Sequence, residues 1–147
     1  MGFSVIIPAR YASSRLPAKL LRDINGKSLI EHTYSNAVRS DASRVIIATD
    51  DKRIKTIAEG FGAEVCMTSD GHTSGTSRIS EVVSALDFQD DDVIVNLQGD
   101  EPMMSPVAIN QVASNLVSSQ MSVATLCEAI VTKESYFDEN CVKVVYN

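Results

Sequence analysis

The stretch Val45-Ile46-Ile47-Ala48-Thr49-Asp50-Asp51-Lys52-Arg53-Ile54-Lys55-Thr56-Ile57-Ala58-Glu59-Gly60-Phe61-Gly62 decides the fold class. Its first four residues form an unbroken apolar run that reads as a buried strand. Asp50 and Asp51 suit a helix start, where the macrodipole favours acids. Asp50 has two readings, a ligand contact after the strand or a helix cap, and capping is the simpler. Ile54, Ile57, Ala58 and Phe61 then recur at helical spacing, and Gly60 and Gly62 mark the stop.

The same strand-then-helix unit recurs outward along the chain. Phe3 to Ile7 is a short apolar strand ending at Pro8, and residues 9–27, broken by Pro17 and Gly26, read as a long loop. Ser28 with Glu31 three residues on is a capping-box pattern that opens a helix through about Ser40. Glu64 to Met67 is a third strand, and Thr68 to Thr76 a polar loop. Ile79, Val82, Val83 and Leu86 give an amphipathic helix. Asp90-Asp91-Asp92 reads as a solvated turn before a fourth strand, Val93 to Leu97. Ser105 and Pro106 suit the N-cap and first position of a helix carrying Ile109, Val112, Ala113, Leu116 and Val117. Ser122 to Val131 and Val142 to Tyr146 read as two further strands. Alternation of this kind predicts one α/β domain over residues 1–147, with a mostly parallel sheet covered by helices on both faces.

Composition narrows the function. The 147 residues are 44% hydrophobic and 22% charged, enough for a single core, with a net charge of −6. The acidic balance argues against a general nucleic-acid binder. No apolar run is long enough to span a membrane, and the start of the chain has no secretion-signal pattern, so the expected location is the cytoplasm. Cys66, Cys127 and Cys141 are three and widely spaced, the first two beside apolar neighbours; they read as buried reduced thiols. Residues 1–22 hold Arg10, Arg15, Lys19 and Arg22 and no acid, which leaves −10 on the remainder. An acidic protein with one basic loop is suited to a single anionic ligand.

Ligands of open α/β sheets sit outside the carboxyl ends of the strands, so the segments that follow the strands carry the chemistry. The first, Pro8 to Lys19, has neither a dinucleotide fingerprint nor a P-loop. It does place Arg10, Arg15 and Lys19 within ten residues. Two guanidinium forks and an ammonium suit a triphosphate; a solvated basic loop is the other reading. The last, Asn96-Leu97-Gln98-Gly99-Asp100-Glu101-Pro102, offers Asp100 as a Mg²⁺ ligand with Glu101 next, since Mg²⁺ takes one or two carboxylates plus phosphate oxygens and water. Gln98 shares a side with Asp100 and can bond a polyhydroxylated ligand, and Gly99 permits close backbone approach. An acidic turn before Pro102 is the plain alternative. Between them, Ser74, Gly75 and Thr76 open a helix whose amides can meet a polar ligand edge. Arg78 stands in that helix's first turn against the dipole, serving either an anion or a surface ion pair. His32 and His72 are isolated in sequence and are not nominated. No nucleophile elbow is present.

Taken together these segments resemble the CMP-KDO synthetases, the 3-deoxy-manno-octulosonate cytidylyltransferases. The matching strings are Ile6 to Pro17, Asp23 to Lys27, Ala48-Thr49-Asp50, Glu64 to Thr68, Ser74-Gly75-Thr76 with Arg78, Val95 to Pro102, and Asn140 with Val142 to Val145, all in the family's order. The resemblance implies a Rossmann-like sheet of the nucleotide-diphospho-sugar transferase type. It implies transfer of CMP from CTP to KDO with release of pyrophosphate, with Mg²⁺ and for lipopolysaccharide synthesis. By matched position, Arg10, Arg15 and Lys19 become the triphosphate clamp, Asp100 the Mg²⁺ ligand and Gln98 a sugar-side contact. Pro8, Ala9, Ser74, Gly75 and Arg78 line the implied nucleotide pocket, and Arg10, Lys19 and Asp100 carry the catalytic roles.

The family also implies a homodimer, and longer chains whose later segments carry most sugar-acid contacts, a second Mg²⁺ carboxylate and much of the dimer surface. None of those segments lies within these 147 residues. A CTP-binding fragment without catalysis, a fragment inert on its own and a CMP-sialic acid synthetase are the competing readings, the last fitting Gln98 to Pro102 less well. Ala18, Leu20 and Ser77 depart from the family's usual Gly, Pro and acid. Ala18 matters if its backbone needs φ > 0, and Leu20 removes a φ constraint from the loop.

Overall fold

The computed structural model describes residues 2–12, 16–119 and 121–145. Its first strand, Phe3–Ala9 (β1), is buried along all seven residues. A single turn of 3₁₀ helix, Lys19–Leu21, and a two-stranded hairpin, Asp23–Ile24 (β2) with Lys27–Ser28 (β3), follow. The chain then runs through helix Leu29–Val38 (α1), strand Arg44–Thr49 (β4), helix Lys52–Gly60 (α2) and strand Glu64–Met67 (β5). Helix Gly75–Ala85 (α3), strand Val93–Asn96 (β6), helix Pro106–Ser119 (α4) and the short helix Lys133–Phe137 (α5) complete it.

The main sheet has the order β5-β4-β1-β6, and every pair is parallel. Alternating side chains of β1 divide the core. Val5 and Ile7 pack with Ile30 and Ala37 of α1, Ile54 and Ala58 of α2, and Ile109 and Ala113 of α4. Ile6 points the other way, to Ile46, Ala48 and the α3 residues Ile79 and Val82. This period-two division is what an apolar strand needs when helices cover both faces. Three helices lie on one face and α3 on the other.

Local signals explain the element ends. The Ser28 hydroxyl accepts from the Glu31 amide at 3.4 Å, so Ser28 caps α1 as expected. The Ser105 hydroxyl accepts from the Ala108 amide at 3.1 Å ahead of α4. Asp51, not Asp50, caps α2, its Oδ1 accepting from the Arg53 amide at 2.8 Å. The capping expectation for Asp50 is thereby corrected: the helix starts one residue later. Asp90 to Asp92 form the expected turn, closed by the Gln89 amide on Asp92 Oδ2 at 2.8 Å. The region expected as one long loop holds a hairpin instead. Asn25 (φ 54°) and Gly26 (φ 84°) both take positive φ, the backbone of a two-residue hairpin turn.

The two strands expected at Ser122–Val131 and Val142–Tyr146 are not formed among the described residues; Tyr146 lies outside them. A β-prone run becomes a strand only against an edge that accepts it. Val123, Val131, Val142 and Val145 are exposed instead. Residues 122–126 face β6 across a cavity of about 520 Å³ lined by Val93, Val95, Val112 and Leu116 among others. The cysteines also depart from expectation. All three are free, but Cys127 is exposed and Cys66 and Cys141 only half-buried. Cys127 lies in that poorly packed segment. No helix among the described residues is long and apolar enough to cross a membrane.

Two of the three departures from family pattern acquire a structural meaning here. Leu20 is buried in the larger core cluster and touches the space above Gly99, so it adds packing to the loop. Ala18 takes φ 55° and ψ 27°, the left-handed region. A Cβ there is strained by about 1–2 kcal/mol, whereas glycine gives back roughly half of the relief through unfolded-chain entropy. Ala18→Gly is therefore expected to stabilise the protein by about 0.5–1 kcal/mol in urea unfolding. An unchanged or lowered midpoint would show that this turn carries no strain.

Candidate functional site

Chain order defines where a ligand can enter. From β1 the chain adds β4 and then β5 on one side, and then crosses to add β6 on the other. The loops leaving the carboxyl ends of β1 and β6 must diverge there, and the crevice between them is the expected site. A small polar pocket of about 60 Å³ opens at that point. Its walls are Pro8, Ala9 and Arg10 from the end of β1, Gln98 from the end of β6, and His72, Ser74, Gly75 and Arg78 from the start of α3. Six of these eight residues are among those expected from sequence to bind nucleotide, and Gln98 is the expected sugar-side contact.

Close packing shapes the crevice. A Cβ on Gly75 would meet Pro8 Cγ at 3.1 Å and the Gln98 amide at 3.3 Å. A Cβ on Gly99 would meet the Pro8 carbonyl and Leu20 Cδ1, each at 3.2 Å. Gly99 thus permits close approach, as expected, but to the protein's own backbone. Its carbonyl accepts from the buried Thr33 hydroxyl at 3.0 Å, which ties the β6 loop to α1. Gln98 Nε2 donates to Asn96 Oδ1 at 3.0 Å and holds its side chain along the strand end.

The cations are distributed differently. Arg10 is exposed on the pocket rim. Lys19 Nζ lies 2.7 Å from Asp100 Oδ2, the two side chains 40% and 44% exposed. The proposed clamp lysine and the proposed metal ligand therefore meet directly, beside the pocket. Arg15 lies outside the described residues. Tyr11 of the same loop lies under the Arg53 guanidinium, 3.3 Å from its ring centroid, and Arg53 also pairs with Asp51 at 2.6 Å. That anchors the loop to α2, so Arg53 is more than a solvated helix-face charge. Glu101 lines the larger cavity, where burial and then the charge of Asp100 push its carboxyl above the usual range. Among the described residues no cluster of three or more metal-binding side chains exists. Asp100 fits Mg²⁺ in the manner of one carboxylate completed by phosphate oxygens and water.

Arg78 is buried, its side chain 4% exposed. Its Nη1 donates to the Thr68 hydroxyl and to the Ser69 carbonyl, the latter at 3.4 Å. Its Nη2 faces Asp50 Oδ2 at 3.4 Å. A cation unfavourable to the helix dipole is thus neutralised from β4, and the surface-ion-pair reading of Arg78 gives way to a buried one.

His72 is the residue sequence reasoning passed over. It is isolated in the chain but not in space. Nε2 meets the Glu81 carboxylate, Nδ1 lies 3.2 Å from Ser77 Oγ, and Ser69 Oγ bonds Glu81 at 2.7 Å. Ser77 stands where the family's acid would be, and it also donates to the Ser74 carbonyl at 3.0 Å. The helical spacing of Ser74, Ser77 and Glu81 on one side of α3 was the available signal.

Comparison with known proteins places this chain in a family. The fold is that of the nucleotidyltransferases: a CMP:2-keto-3-deoxy-manno-octonic acid synthetase solved in complex with CTP superposes with a TM-score of 0.76 at 39% identity, over 82% of this chain and 49% of that one. A cytidylyltransferase from Leptospira borgpetersenii shares the fold at 20% identity, with a TM-score of 0.69. A family model described as cytidylyltransferase matches residues 4–147, and the chain belongs to that family. The 3-deoxy-manno-octulosonate cytidylyltransferase of Ruthia magnifica is 66% identical over the whole chain, and one from Actinobacillus pleuropneumoniae is 54% identical over 99% of it. The chain spans about 60% of the length of these curated relatives.

The Glu81 cluster generates a pH prediction. Hydrogen bonds from Ser69 and then His72 hold the Glu81 carboxyl down at about 2, against an ordinary 4.5. Its folded pKa is depressed, so its contribution is complete above about pH 4.5 and is lost as pH falls towards 2. Glu81→Gln should flatten the acid limb of the melting temperature across that window and leave the slope above pH 5 unchanged. Parallel curves for the two proteins would show that the cluster contributes nothing to stability.

Proposed function

We propose that this chain is the nucleotide-binding part of a CMP-KDO synthetase, which transfers CMP from CTP to the anomeric hydroxyl of 3-deoxy-D-manno-octulosonate. The observation that carries the reading is the pocket at the diverging ends of β1 and β6, where Pro8, Ala9, Arg10, Ser74, Gly75, Arg78 and Gln98 converge. Sequence relatives carrying that activity, at 54–66% identity, support it. In the reaction, the anomeric oxygen forms a bond to the α-phosphorus while the bond to the leaving pyrophosphate breaks.

The roles follow from charge and position. Arg10 and Arg15 bind phosphate oxygens through their guanidinium forks, and Lys19 adds a point charge. Gln98 orients the sugar side, and Gly75 leaves room for the nucleotide. Asp100 holds Mg²⁺, which when bound neutralises charge on the phosphoryl oxygens. Positioning and charge neutralisation supply most of the rate in such transfers. Lys19 sits against Asp100 in readiness, so the cation and the carboxylate that would serve one phosphate share one place. This reading carries with it a role in lipopolysaccharide biosynthesis, a cytoplasmic location and, from the family resemblance, a homodimer. The second reading, CTP binding without transfer, rests on the 60% share of the relatives' length.

Two measurements test this. Calorimetric titration with CTP and Mg²⁺ is expected to show binding that ATP does not reproduce, and Gly75→Ala is expected to weaken it about tenfold or more by filling the slot against Pro8 and Gln98. Asp100→Asn is expected to abolish the Mg²⁺ dependence of CTP binding. Pyrophosphate release from CTP, KDO and Mg²⁺ separates the synthetase from the silent binder. Equal affinity for CTP and ATP would sink both.

A further inference from the structure

Asp50 does more than balance the charge of Arg78. It follows β4 and stands next to the residue that caps α2, yet takes no part in that cap. Its side chain is 22% exposed, and its Oδ2 lies 3.4 Å from Arg78 Nη2. Its other oxygen, Oδ1, is buried and has no hydrogen-bond partner among the described residues. An orphaned buried carboxylate oxygen is costly, and it persists where neighbouring structure fixes it or where function requires it.

The arrangement around it is asymmetric. The Arg78 guanidinium is anchored on its inner side by the Thr68 hydroxyl and the Ser69 carbonyl, both neutral. Asp50 is the carboxylate that faces it. The same Arg78 forms part of the wall of the polar pocket, opposite Pro8 and Gln98, whereas Asp50 does not reach that wall. A guanidinium has five donors in a fixed fork, so the groups that hold one side determine where the others point.

We propose that Asp50 is a positioning residue for nucleotide binding, acting through Arg78. It holds the guanidinium against Thr68 and Ser69 so that the remaining donors present a fixed edge to the nucleotide in the pocket. The inference rests on the nucleotide reading given above and adds to it a residue outside the pocket. Loss of the carboxylate leaves a buried cation held by neutral acceptors alone, and the edge it presents is no longer fixed.

A double-mutant cycle read by CTP calorimetry tests this, with the melting temperature of each protein recorded by circular dichroism. Asp50→Asn keeps the side-chain volume and is expected to weaken CTP binding about tenfold, and Arg78→Gln by at least as much. In the Arg78→Gln background, Asp50→Asn is expected to cost nothing further. Asp50→Glu restores the charge and is expected to keep CTP affinity close to the starting protein even if it melts lower; it also serves if the asparagine variant does not fold. An Asp50→Asn protein that melts lower but binds CTP unchanged would show a purely structural role. So would loss of affinity in Asp50→Glu equal to that in Asp50→Asn. A full tenfold loss in both backgrounds would show that Asp50 acts without Arg78. If the unsubstituted chain takes up no CTP, the nucleotide reading itself fails, and this inference with it.

Discussion

Everything in this molecule leans on β1. Its seven residues are all buried, and it alone touches both β4 and β6. The strand can be buried this completely because its side chains are apolar on both faces apart from Ser4, and its backbone groups are used in ladders on both sides. The same position forces the crevice. Because the chain goes to β4 first and reaches β6 only after two more strand-helix units, the loops at the carboxyl end of β1 have no common direction. The opening between them is a consequence of connectivity, and the side chains at Pro8, Ala9 and Gln98 only give it its shape.

Around that opening, polar chemistry is arranged in layers. Exposed cations stand at the rim, with Arg10 on the pocket and Lys19 held by Asp100. Behind the rim the buried Arg78 of α3 pairs with Asp50, half-buried just after β4. Beside it, with His72 also on the pocket wall, the Ser69–His72–Glu81 cluster stitches the loop after β5 to α3. Each layer is tied to an element of the sheet or to α3. The site therefore inherits its rigidity from the core, although most of its residues are on loops.

The sheet, its helices and the pocket's membership were legible because each depends on local pattern or on one topological rule. Val5 to Ile7 and Val45 to Ala48 could be nothing but buried, and the crevice rule then selected the segments after the strands. What was not legible is contact between distant residues of ordinary type. His72 and Glu81 sit nine residues apart, and their meeting depends on how the loop turns before α3. Asp50 and Asp51 are chemically identical neighbours, and the helix start decided which one caps and which one turns inward to Arg78. The Asn25-Gly26 turn was readable, since that dipeptide is a strong hairpin signal, but the pairing strands are only two residues each and gave no periodicity. The strands expected at 122–131 and 142–146 are the reverse case: a β-prone composition that, among the described residues, does not pair with the open edge of β6.

The edge they leave uncovered has a consequence for how the protein behaves in bulk. β6 is the outermost strand of a parallel sheet, flanked by the apolar cavity that Val93, Val95 and Leu116 line. Such an edge is a template on which a second chain can lay down hydrogen bonds. The chain's net charge of −6 opposes the approach of another copy. That repulsion reaches only about 8 Å at physiological ionic strength and about 3 Å in molar salt. High ionic strength is therefore the condition in which this edge is least shielded from pairing with a copy of the chain.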